Sequence, residues 1–374
     1  MKKTNLSTPK NIVALAPYDR GWSNVEFLKD CGLIPYLLYK NHNCNVTFVG
    51  AQKEDWPYLD QYLKGVHTEI LSPGTVKEKM QYIEAHAQQI DCLILRGPYD
   101  TNFEIAIRYK ALNPTGKIYV GLDANSHWMD RILWYQPDFS AFMNTCDVIA
   151  TSCTAMQMFL NEKWPWKIEH IPNGCYNFES QTMFPSFSQK KNRILTVSRI
   201  GTSQKANHIM LEAFALIANH IPDWDFYLVG NIAKEFQPYI DTYFYRYPNL
   251  KERVHFTGPI QDKAELKNIY LSAKIFALSS VFEGGTPNVI GEALSNGCVI
   301  ATTKIDAWEE AINFGKCGLA SPVNDVVGFA KILLQLCNDT QLEEKSNEAY
   351  LHSQNQLNME KIVARLYLML FGEE

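Results

Sequence analysis

The sequence predicts an α/β protein of two domains, each built on a parallel β-sheet with helices on both faces. Short apolar runs of β type alternate with segments of helical length along the 374 residues. A polar stretch, NGCYNFESQTMFPSFSQKKN at 173–192, interrupts this alternation once, near the middle of the chain. Strands separated by helices imply right-handed crossovers and therefore parallel sheets. A chain of this length is also expected to form about two domains of roughly 150–200 residues each.

The first half contains six candidate strands, each followed by a segment of helical length such as VEFLKDCGLIPYLLYKN or NFEIAIRYKAL. The candidate strands are NIVALA (11–16), NVTFVG (45–50), DCLILR (91–96), KIYVGL (117–122), DVIAT (147–151) and KIEHIP (167–172). This pattern predicts a first domain over residues 1–175, followed by a linker over 176–192.

The second half repeats the scheme and predicts a second domain over residues 193–355. Its candidate strands are RILTVS (193–198), DFYLVG (225–230), RVHFTG (253–258), KIFALSS (274–280), CVIATT (298–303) and CGLASP (317–322). After residue 324 only helical patterns remain, and the last of them, LNMEKIVARLYLMLFG, predicts a terminal helix within 356–374.

Composition excludes several classes of protein. The 35 Lys and Arg against 40 Asp and Glu give a net charge of −5, which argues against a dedicated nucleic-acid-binding protein because such proteins need clustered cations. Nine cysteines without a CxxC pair are typical of reduced, buried thiols in the cytoplasm. No apolar run is long enough for a membrane-spanning helix, and the first residues do not resemble a signal peptide. Peripheral contact with the inner face of a membrane stays open.

The first segment with candidate binding or catalytic residues is VSRIGTSQKANHIMLEAFALI, residues 197–217. A strand ends at Ser198 and Arg199, a turn follows, and Lys205 lies near the start of the next helix. Arg199 offers a planar fork for phosphate oxygens and Lys205 a point charge, beside the positive end of a helix. The alternative is a solvated Arg and Lys beside an ordinary turn.

The second segment is SSVFEGGTPNVIGEALSNGCVI, residues 279–300, in which a strand runs into a glycine-rich turn and a helix. Glycines there let a ligand approach the backbone, and Pro suits the first helical position. Glu292 lies about one turn into the helix and suits a vicinal diol. The predicted binding residues of the turn are Glu283, Gly284, Gly285, Thr286, Pro287, Asn288 and Val289. The alternative is a capping Glu283 and an exposed Glu292.

Residues 193–322 resemble the donor-binding domain of retaining glycosyltransferases of family 4, the glycosyltransferase group 1 domain, whose fold is called GT-B. The resemblance rests on motifs that cover nearly all of the second half, whereas the first half is similar only in layout. The matching motifs are Ser198-Arg199 with Lys205, Ser280-Val-Phe-Glu283-Gly284, Glu292-Ala293 with Gly297, IPNG at 171–174 and LVGN at 228–231.

The resemblance implies two facing Rossmann-like domains with an interdomain cleft and a C-terminal helix that crosses back to the first domain. It implies transfer of a hexose-type sugar, with retention of configuration, from a nucleoside diphosphate sugar such as a UDP-sugar to a glycan, lipid-linked glycan or protein. Arg199 and Lys205 would hold the diphosphate, Glu292 the ribose, and Glu283 the transferred sugar. No metal or other cofactor is expected.

Three further site residues are predicted. His127, after the strand at 117–122, is predicted as a catalytic residue, because relatives often have a histidine there that contacts the donor sugar from the acceptor side. Gly21 belongs to the first strand-to-helix turn, APYDRGWSN, and Gly258 lies in the segment around Thr257–Ile260 expected to contact the base.

Two departures from the family pattern keep other functions open. Eight residues separate Glu283 from Glu292, where the family usually has seven, and the first turn holds a single glycine. These departures motivate a non-catalytic, sugar-binding or partner-stabilising subunit as the main alternative. An inverting enzyme with Asp19 as general base and a sugar-phosphate epimerase are further alternatives. The Asp-x-Asp pattern at 223–225 is interpreted as a turn, and no GxGxxG follows the first strand, which argues against a dehydrogenase.

Overall fold

The structure, a computed structural model, describes residues 8–17, 21–123, 125–178 and 186–372. The chain divides into two compact units. The first unit holds the residues up to Phe178 together with those from Met359 onward, and the second holds the chain between them. Each unit is built on one sheet, so the predicted α/β class is confirmed.

Two all-parallel sheets form the centres of the units. The strands of the first unit are β1 (Lys10–Leu15), β2 (Cys44–Gly50), β3 (His67–Ile70), β4 (Cys92–Arg96), β5 (Lys117–Leu122), β6 (Val148–Thr151) and β7 (Ile168–His170). Those of the second are β8 (Lys191–Val197), β9 (Asp225–Val229), β10 (Val254–Gly258), β11 (Ala273–Leu278), β12 (Val299–Thr303) and β13 (Gly318–Ser321). The spatial orders are β3-β2-β1-β4-β5-β6-β7 and β10-β9-β8-β11-β12-β13.

Helices connect the strands. In the first unit they are α1 (Asp30–Asn41), α2 (Pro57–Tyr62), α3 (Val76–His86), α4 (Asp100–Leu112), α5 (Ser126–Met129), α6 (Pro137–Thr145) and α7 (Thr154–Lys163). The helices of the second unit are α8 (Asn207–Ile217), α9 (Gln237–Arg246), α10 (Lys263–Ser272), α11 (Asn288–Ser295), α12 (Trp308–Ala311), α13 (Val326–Cys337) and α14 (Leu342–Gln356). The last helix, α15 (Met359–Phe371), belongs to the first unit. Within the described ranges, none of these helices combines the length and the apolar character that crossing a membrane requires.

The last helix, α15, packs in the core of the first unit. Its residues Ile362, Val363, Leu366 and Leu370 are buried in the same cluster as the apolar face of α1. Spacings of one, three and four residues place these side chains on one face of a helix. Each buried side chain of this size stabilises the unit by about 1.5–3 kcal/mol, so the end of the chain is firmly held by the first unit.

The ends of the segment predicted as a linker are packed. Tyr36 contacts both Tyr176 and Phe178, with ring centroids 6.2 and 6.1 Å away, within the first unit. In the second unit the ammonium of Lys190 donates to the carbonyls of Ala273 (2.9 Å) and Asn296 (2.7 Å), and burial lowers its pKa. Residues at both ends of the predicted linker, 176–192, thus pack within the two units, and residues 179–185 lie outside the described residues.

The strand order of the second unit locates its ligand-binding edge. The chain runs from β8 outward to β9 and β10, and then continues on the other side of β8 with β11. The connections that leave β8 and β11 therefore diverge at their carboxyl ends. Open parallel sheets bind ligands at such a switch point. Both segments singled out in the sequence, 197–217 and 279–300, begin there.

Candidate active site

The turn between β8 and α8 is held by a buried asparagine. Asn207, 1% exposed, accepts a hydrogen bond from the Gly201 amide at 2.7 Å and donates one to Ser198 Oγ at 3.2 Å. Gly201 has φ +87°, and a Cβ there would lie 2.3 Å from Phe236 Cβ, so glycine is required at this position. The turn that carries Arg199 and Lys205 is thus fixed at both of its ends.

The turn after β8 is bonded to the turn after β11. The Ser279 hydroxyl donates to the carbonyl oxygens of Lys205 (2.9 Å) and Ala206 (3.0 Å). The amide of Val281 donates to the carbonyl of Gln204 at 2.9 Å. These bonds are made through main-chain atoms of 204–206, so the two turns keep their spacing whatever the side chains of Gln204 and Lys205 do.

Glu283 is the centre of a polar cluster formed by these two turns. Its Oε1 accepts the ammonium of Lys205 in an ion pair and the hydroxyl of Ser280, and its Oε2 accepts Gln204 Nε2 at 3.2 Å. The Lys205 and Glu283 side chains are only 12% and 10% exposed. Arg199, which is exposed, donates from Nη2 to Gln204 Oε1 at 2.6 Å. The guanidinium and the ammonium therefore reach the same cluster.

The charges of this cluster favour an anionic ligand. Arg199 and Lys205 carry two positive charges, and Glu283 offsets one of them. The two buried charges, Lys205 and Glu283, largely cancel, so the net positive charge of the cluster is that of the exposed Arg199 guanidinium. A guanidinium and an ammonium side by side suit the oxygens of a diphosphate.

Glu292 lies on α11 and is half-buried. Its Oε2 accepts a hydrogen bond from the hydroxyl of Tyr270 at 2.8 Å. Tyr270, on α10, is 2% exposed; burial raises its pKa well above the ordinary value, and the Glu292 carboxylate adds to that shift. The phenol therefore stays a proton donor and fixes the orientation of the carboxylate.

The glycine-rich turn before α11 has the shape that the sequence suggests, with one difference at its proline. Gly285 has φ +98°, a conformation that glycine adopts without strain, and Thr286 is buried. The helix begins at Asn288, and Pro287 is the residue that precedes it, not its first residue. Gly284 and Val289 are half-buried at the two ends of this turn.

Gly258 ends β10 at the same edge of the sheet. It has φ +73°, and a Cβ there would meet no atom within 4 Å. Its carbonyl accepts the amide of Gly230 at 3.0 Å. Within the described structure, a side chain at Gly258 would therefore meet open space and not a neighbouring residue. The positive φ alone favours glycine at this position.

The family comparison agrees with this geometry. Residues 191–339 match the family described as glycosyl transferases group 1. The second unit carries a glycosyltransferase group 1 domain. The matched range includes Ser198, Arg199, Lys205, Glu283 and Glu292, and the prediction of a glycosyltransferase group 1 domain is confirmed for these residues.

A curated relative and two solved structures extend the comparison. A phosphatidyl-myo-inositol mannosyltransferase of Mycolicibacterium smegmatis is 22% identical over 174 residues, which are 46% of this chain and 43% of that protein. Sucrose-phosphate synthase of Thermosynechococcus elongatus aligns over 97% of this chain and 99% of its own, with a TM-score of 0.72 and 16% identity. Anabaena HepE in complex with UDP aligns over 96% and 99%, with a TM-score of 0.71 and 16% identity. These likenesses confirm the GT-B fold.

The predicted residues of the first unit lie outside the glycosyltransferase group 1 domain. Gly21 has φ +79°, and a Cβ would stand 2.1 Å from the Ala51 carbonyl oxygen, so packing within the unit accounts for this glycine. His127 is exposed on α5, with its ring centroid 6.1 Å from that of Trp128. Its contact with a donor sugar stays a prediction. Asp19, the alternative general base, lies outside the described residues.

The Asp-x-Asp pattern lies in a turn that leads into β9. Asp223 accepts a hydrogen bond from the side-chain amide of Asn192, and Trp224 between the two carboxylates is buried in the core. Within the part of the chain that the structure describes, no group of three or more His, Cys, Asp or Glu side chains could hold a metal ion.

Two residues of the glycosyltransferase group 1 domain were not singled out from the sequence. Gln204 directly precedes Lys205, and its position inside the motif is a signal that could have found it. Tyr270 lies 22 residues before Glu292 on another helix, so no spacing rule connects the two. Long-range pairing of this kind depends on the strand order, which brings α10 and α11 together.

Proposed function

We propose that this protein is a retaining glycosyltransferase that moves a hexose-type sugar from a nucleoside diphosphate sugar to a glycan, lipid-linked glycan or protein. One observation carries the proposal. Within the glycosyltransferase group 1 domain, the cations Arg199 and Lys205 reach the polar cluster of Glu283 at the switch point of the sheet. A scaffold protein would need neither cation there.

The proposed roles follow from charge. Arg199 and Lys205 bind the diphosphate, whose leaving oxygen gains negative charge as the glycosidic bond breaks. Fixed cations stabilise that developing charge more than the charge of the bound donor, and this difference lowers the barrier. Glu283, together with the backbone of 284–286, holds the transferred sugar, and Glu292 accepts hydrogen bonds from the ribose hydroxyls.

The proposed reaction takes place on one face of the sugar. The acceptor oxygen forms a bond to the anomeric carbon while the bond from that carbon to the phosphate oxygen breaks and its electron pair goes to the phosphate. The departing phosphate oxygen takes the proton of the acceptor hydroxyl. Because attack and departure share one face, the anomeric configuration is retained. This route needs no carboxylate pair and no metal ion.

UDP-sugars are the first donors to test. HepE of Anabaena, whose fold this chain shares, has been solved with UDP and with UDP-glucose. We place the reaction in the cytoplasm, at the inner face of a membrane if the acceptor is lipid-linked.

Thermal unfolding tests donor binding. A ligand that binds the native state raises the melting temperature, so a series of nucleoside diphosphates and their sugars identifies the donor. UDP and at least one UDP-sugar are expected to stabilise the protein, whereas no shift with any member of the series would contradict the proposal.

Hydrolysis of the donor tests catalysis. UDP release from that donor by the wild type should exceed release by Arg199→Ala at least about tenfold, since a charge-assisted contact contributes about 1.5–3 kcal/mol. Arg246→Ala is the matched control, because Arg246 pairs with Glu212 on the exposed surface between α8 and α9. Equal rates in all three proteins would favour the non-catalytic subunit, and conversion of the donor into another sugar nucleotide would favour the epimerase.

A further inference from the structure

One side chain, Gln204, joins the two groups of opposite charge in the donor site. Its Oε1 accepts from Arg199 Nη2 at 2.6 Å, and its Nε2 donates to Glu283 Oε2 at 3.2 Å. The same nitrogen donates to the carbonyl of Phe282 at 3.1 Å. A single amide therefore spans from the turn after β8 to the turn after β11.

The chemistry of the partners fixes the orientation of this amide. A guanidinium only donates and a carboxylate or a carbonyl only accepts, so the oxygen must face Arg199 and the nitrogen must face Glu283. A flipped amide would place donor against donor and acceptor against acceptor. No other natural side chain of this length offers one acceptor end and one donor end without a charge.

We propose that Gln204 is a positioning residue of the donor site, holding the Arg199 guanidinium and the Glu283 carboxylate in one arrangement. This inference rests on the proposed function and extends it to a residue that does not itself touch the donor. Arg199 is exposed and has many rotamers; its bond to Gln204 restricts them before the donor binds. Preorganised donors and charges lower the barrier because they need not reorganise during the reaction.

Two substitutions distinguish the contact of Gln204 with Arg199 from its contact with Glu283. Gln204→Leu removes all three side-chain hydrogen bonds, whereas Gln204→Glu keeps an acceptor for Arg199 but places a carboxylate against Glu283 and the Phe282 carbonyl. Each is expected to lower the kcat of UDP release from UDP-glucose about tenfold at pH 7.5, the effect of about 1.4 kcal/mol on a barrier. UDP affinity should fall less than kcat, because Lys205 still binds the diphosphate.

The difference between the loss of kcat and the loss of nucleotide affinity gives a signature that a merely structural role would lack. A site that loses its structure loses UDP affinity and kcat together, whereas loss of a contact that orients Arg199 and Glu283 lowers kcat with a smaller loss of affinity. Isothermal titration calorimetry measures the affinity of each variant beside its kcat.

Asn192 provides a matched control at the opposite end of β8. Its Oδ1 accepts from Lys274 Nζ at 2.6 Å and its Nδ2 donates to Asp223, so it bridges a cation and a carboxylate as Gln204 does. Asn192→Asp adds the same charge beside a carboxylate, and its kcat should stay within about twofold of the wild type. The Val281 bond to the Gln204 carbonyl does not use the side chain, and melting curves verify that each variant is folded.

The outcomes separate this inference from the proposed function. Wild-type kcat in both folded Gln204 variants, or an equal loss in Asn192→Asp, would overturn the positioning role while leaving the enzyme assignment intact. Failure of the wild type to bind any nucleoside diphosphate, or to release one from any of their sugars, would overturn both. Loss of kcat in both folded variants, with a smaller loss of UDP affinity, supports the positioning role of Gln204.

Discussion

The hydroxyl of Tyr270 donates a hydrogen bond of 2.8 Å to Glu292 Oε2. This bond joins the last turn of α10 to α11 and leaves the second oxygen of Glu292 for a ligand. Since the tyrosine is almost wholly buried and its pKa is raised, the phenol remains protonated at any pH at which the protein would be assayed. The carboxylate proposed to bind the ribose is therefore oriented from inside the domain.

Removing this hydroxyl should weaken nucleotide binding without unfolding the domain. Tyr270→Phe keeps the ring in the core and frees Glu292 to rotate, so we expect the Kd for UDP to rise about fivefold, the equivalent of about 1 kcal/mol. Isothermal titration calorimetry measures this. Tyr243→Phe is the matched control, because its buried hydroxyl donates to the Leu211 carbonyl at 3.1 Å; an equal rise in both variants would contradict the role of Tyr270.

A methyl group at Gly258 tests whether the nucleotide lies beside β10. Gly258→Ala and Gly315→Ala introduce the same strain, because both glycines have positive φ (+73° and +91°) and both have open space where a Cβ would stand. Each should cost about 1 kcal/mol of unfolding free energy. Only Gly258→Ala should also raise the Kd for UDP, because only Gly258 lies at the carboxyl edge of the sheet. The same Kd in the two variants would place the base elsewhere.

Most of the fold could be predicted from periodicity, and one strand could not. Twelve strands of the described chain coincide with predicted apolar runs, whereas β3, with the sequence His-Thr-Glu-Ile, was missed. All four of its residues are exposed, because the strand lies at the edge of the sheet and pairs only with β2. Backbone pairing defines this strand, and backbone pairing leaves no apolar pattern in the sequence.

The residues of the candidate site could be predicted from their motifs, but not their contacts. Arg199 and Lys205 belong to one motif and Glu283 to another. Lys205 and Glu283 are 78 residues apart in the sequence, and only the adjacency of β8 and β11 brings them together. The motif predicts that Glu283 faces a sugar, and it does not reveal that the carboxylate also accepts Lys205, Ser280 and Gln204. A carboxylate buried among donors is satisfied by whichever side chains the fold supplies, and linear spacing does not reveal them.

The ion pair of Lys205 and Glu283 should show strong energetic coupling. Lys205→Met leaves a largely buried carboxylate without its cation, which should lower the unfolding free energy by about 3 kcal/mol. Glu283→Gln added to Lys205→Met removes the stranded charge, so the double variant should recover most of that loss. Urea unfolding of the wild type, both single variants and the double variant measures the coupling. Additive losses would show that the pair is not buried in solution. The double variant should still fail to release UDP.

The second unit should lose stability in acid through one buried histidine. His352, on α14, is buried, with Nε2 2.8 Å from the Glu310 carbonyl oxygen. Burial lowers its pKa below the ordinary value, against a smaller opposing effect of the carbonyl and of the Glu310 and Glu348 carboxylates. The folded state therefore binds a proton less readily than the unfolded state.

The sign of this effect follows from proton binding. As pH falls below about 6.5, the unfolded chain takes up a proton on His352 while the folded chain stays neutral, so unfolding is favoured. Stability is fully present above that pH and is lost progressively as the pH approaches the lower pKa of the folded state. His352→Gln removes the difference in proton uptake, so its urea midpoint should fall less than that of the wild type between pH 7.5 and pH 5.5. His220→Gln, at an exposed position, is the control and should follow the wild type. Parallel pH dependence in all three proteins would show that other groups cause the acid sensitivity.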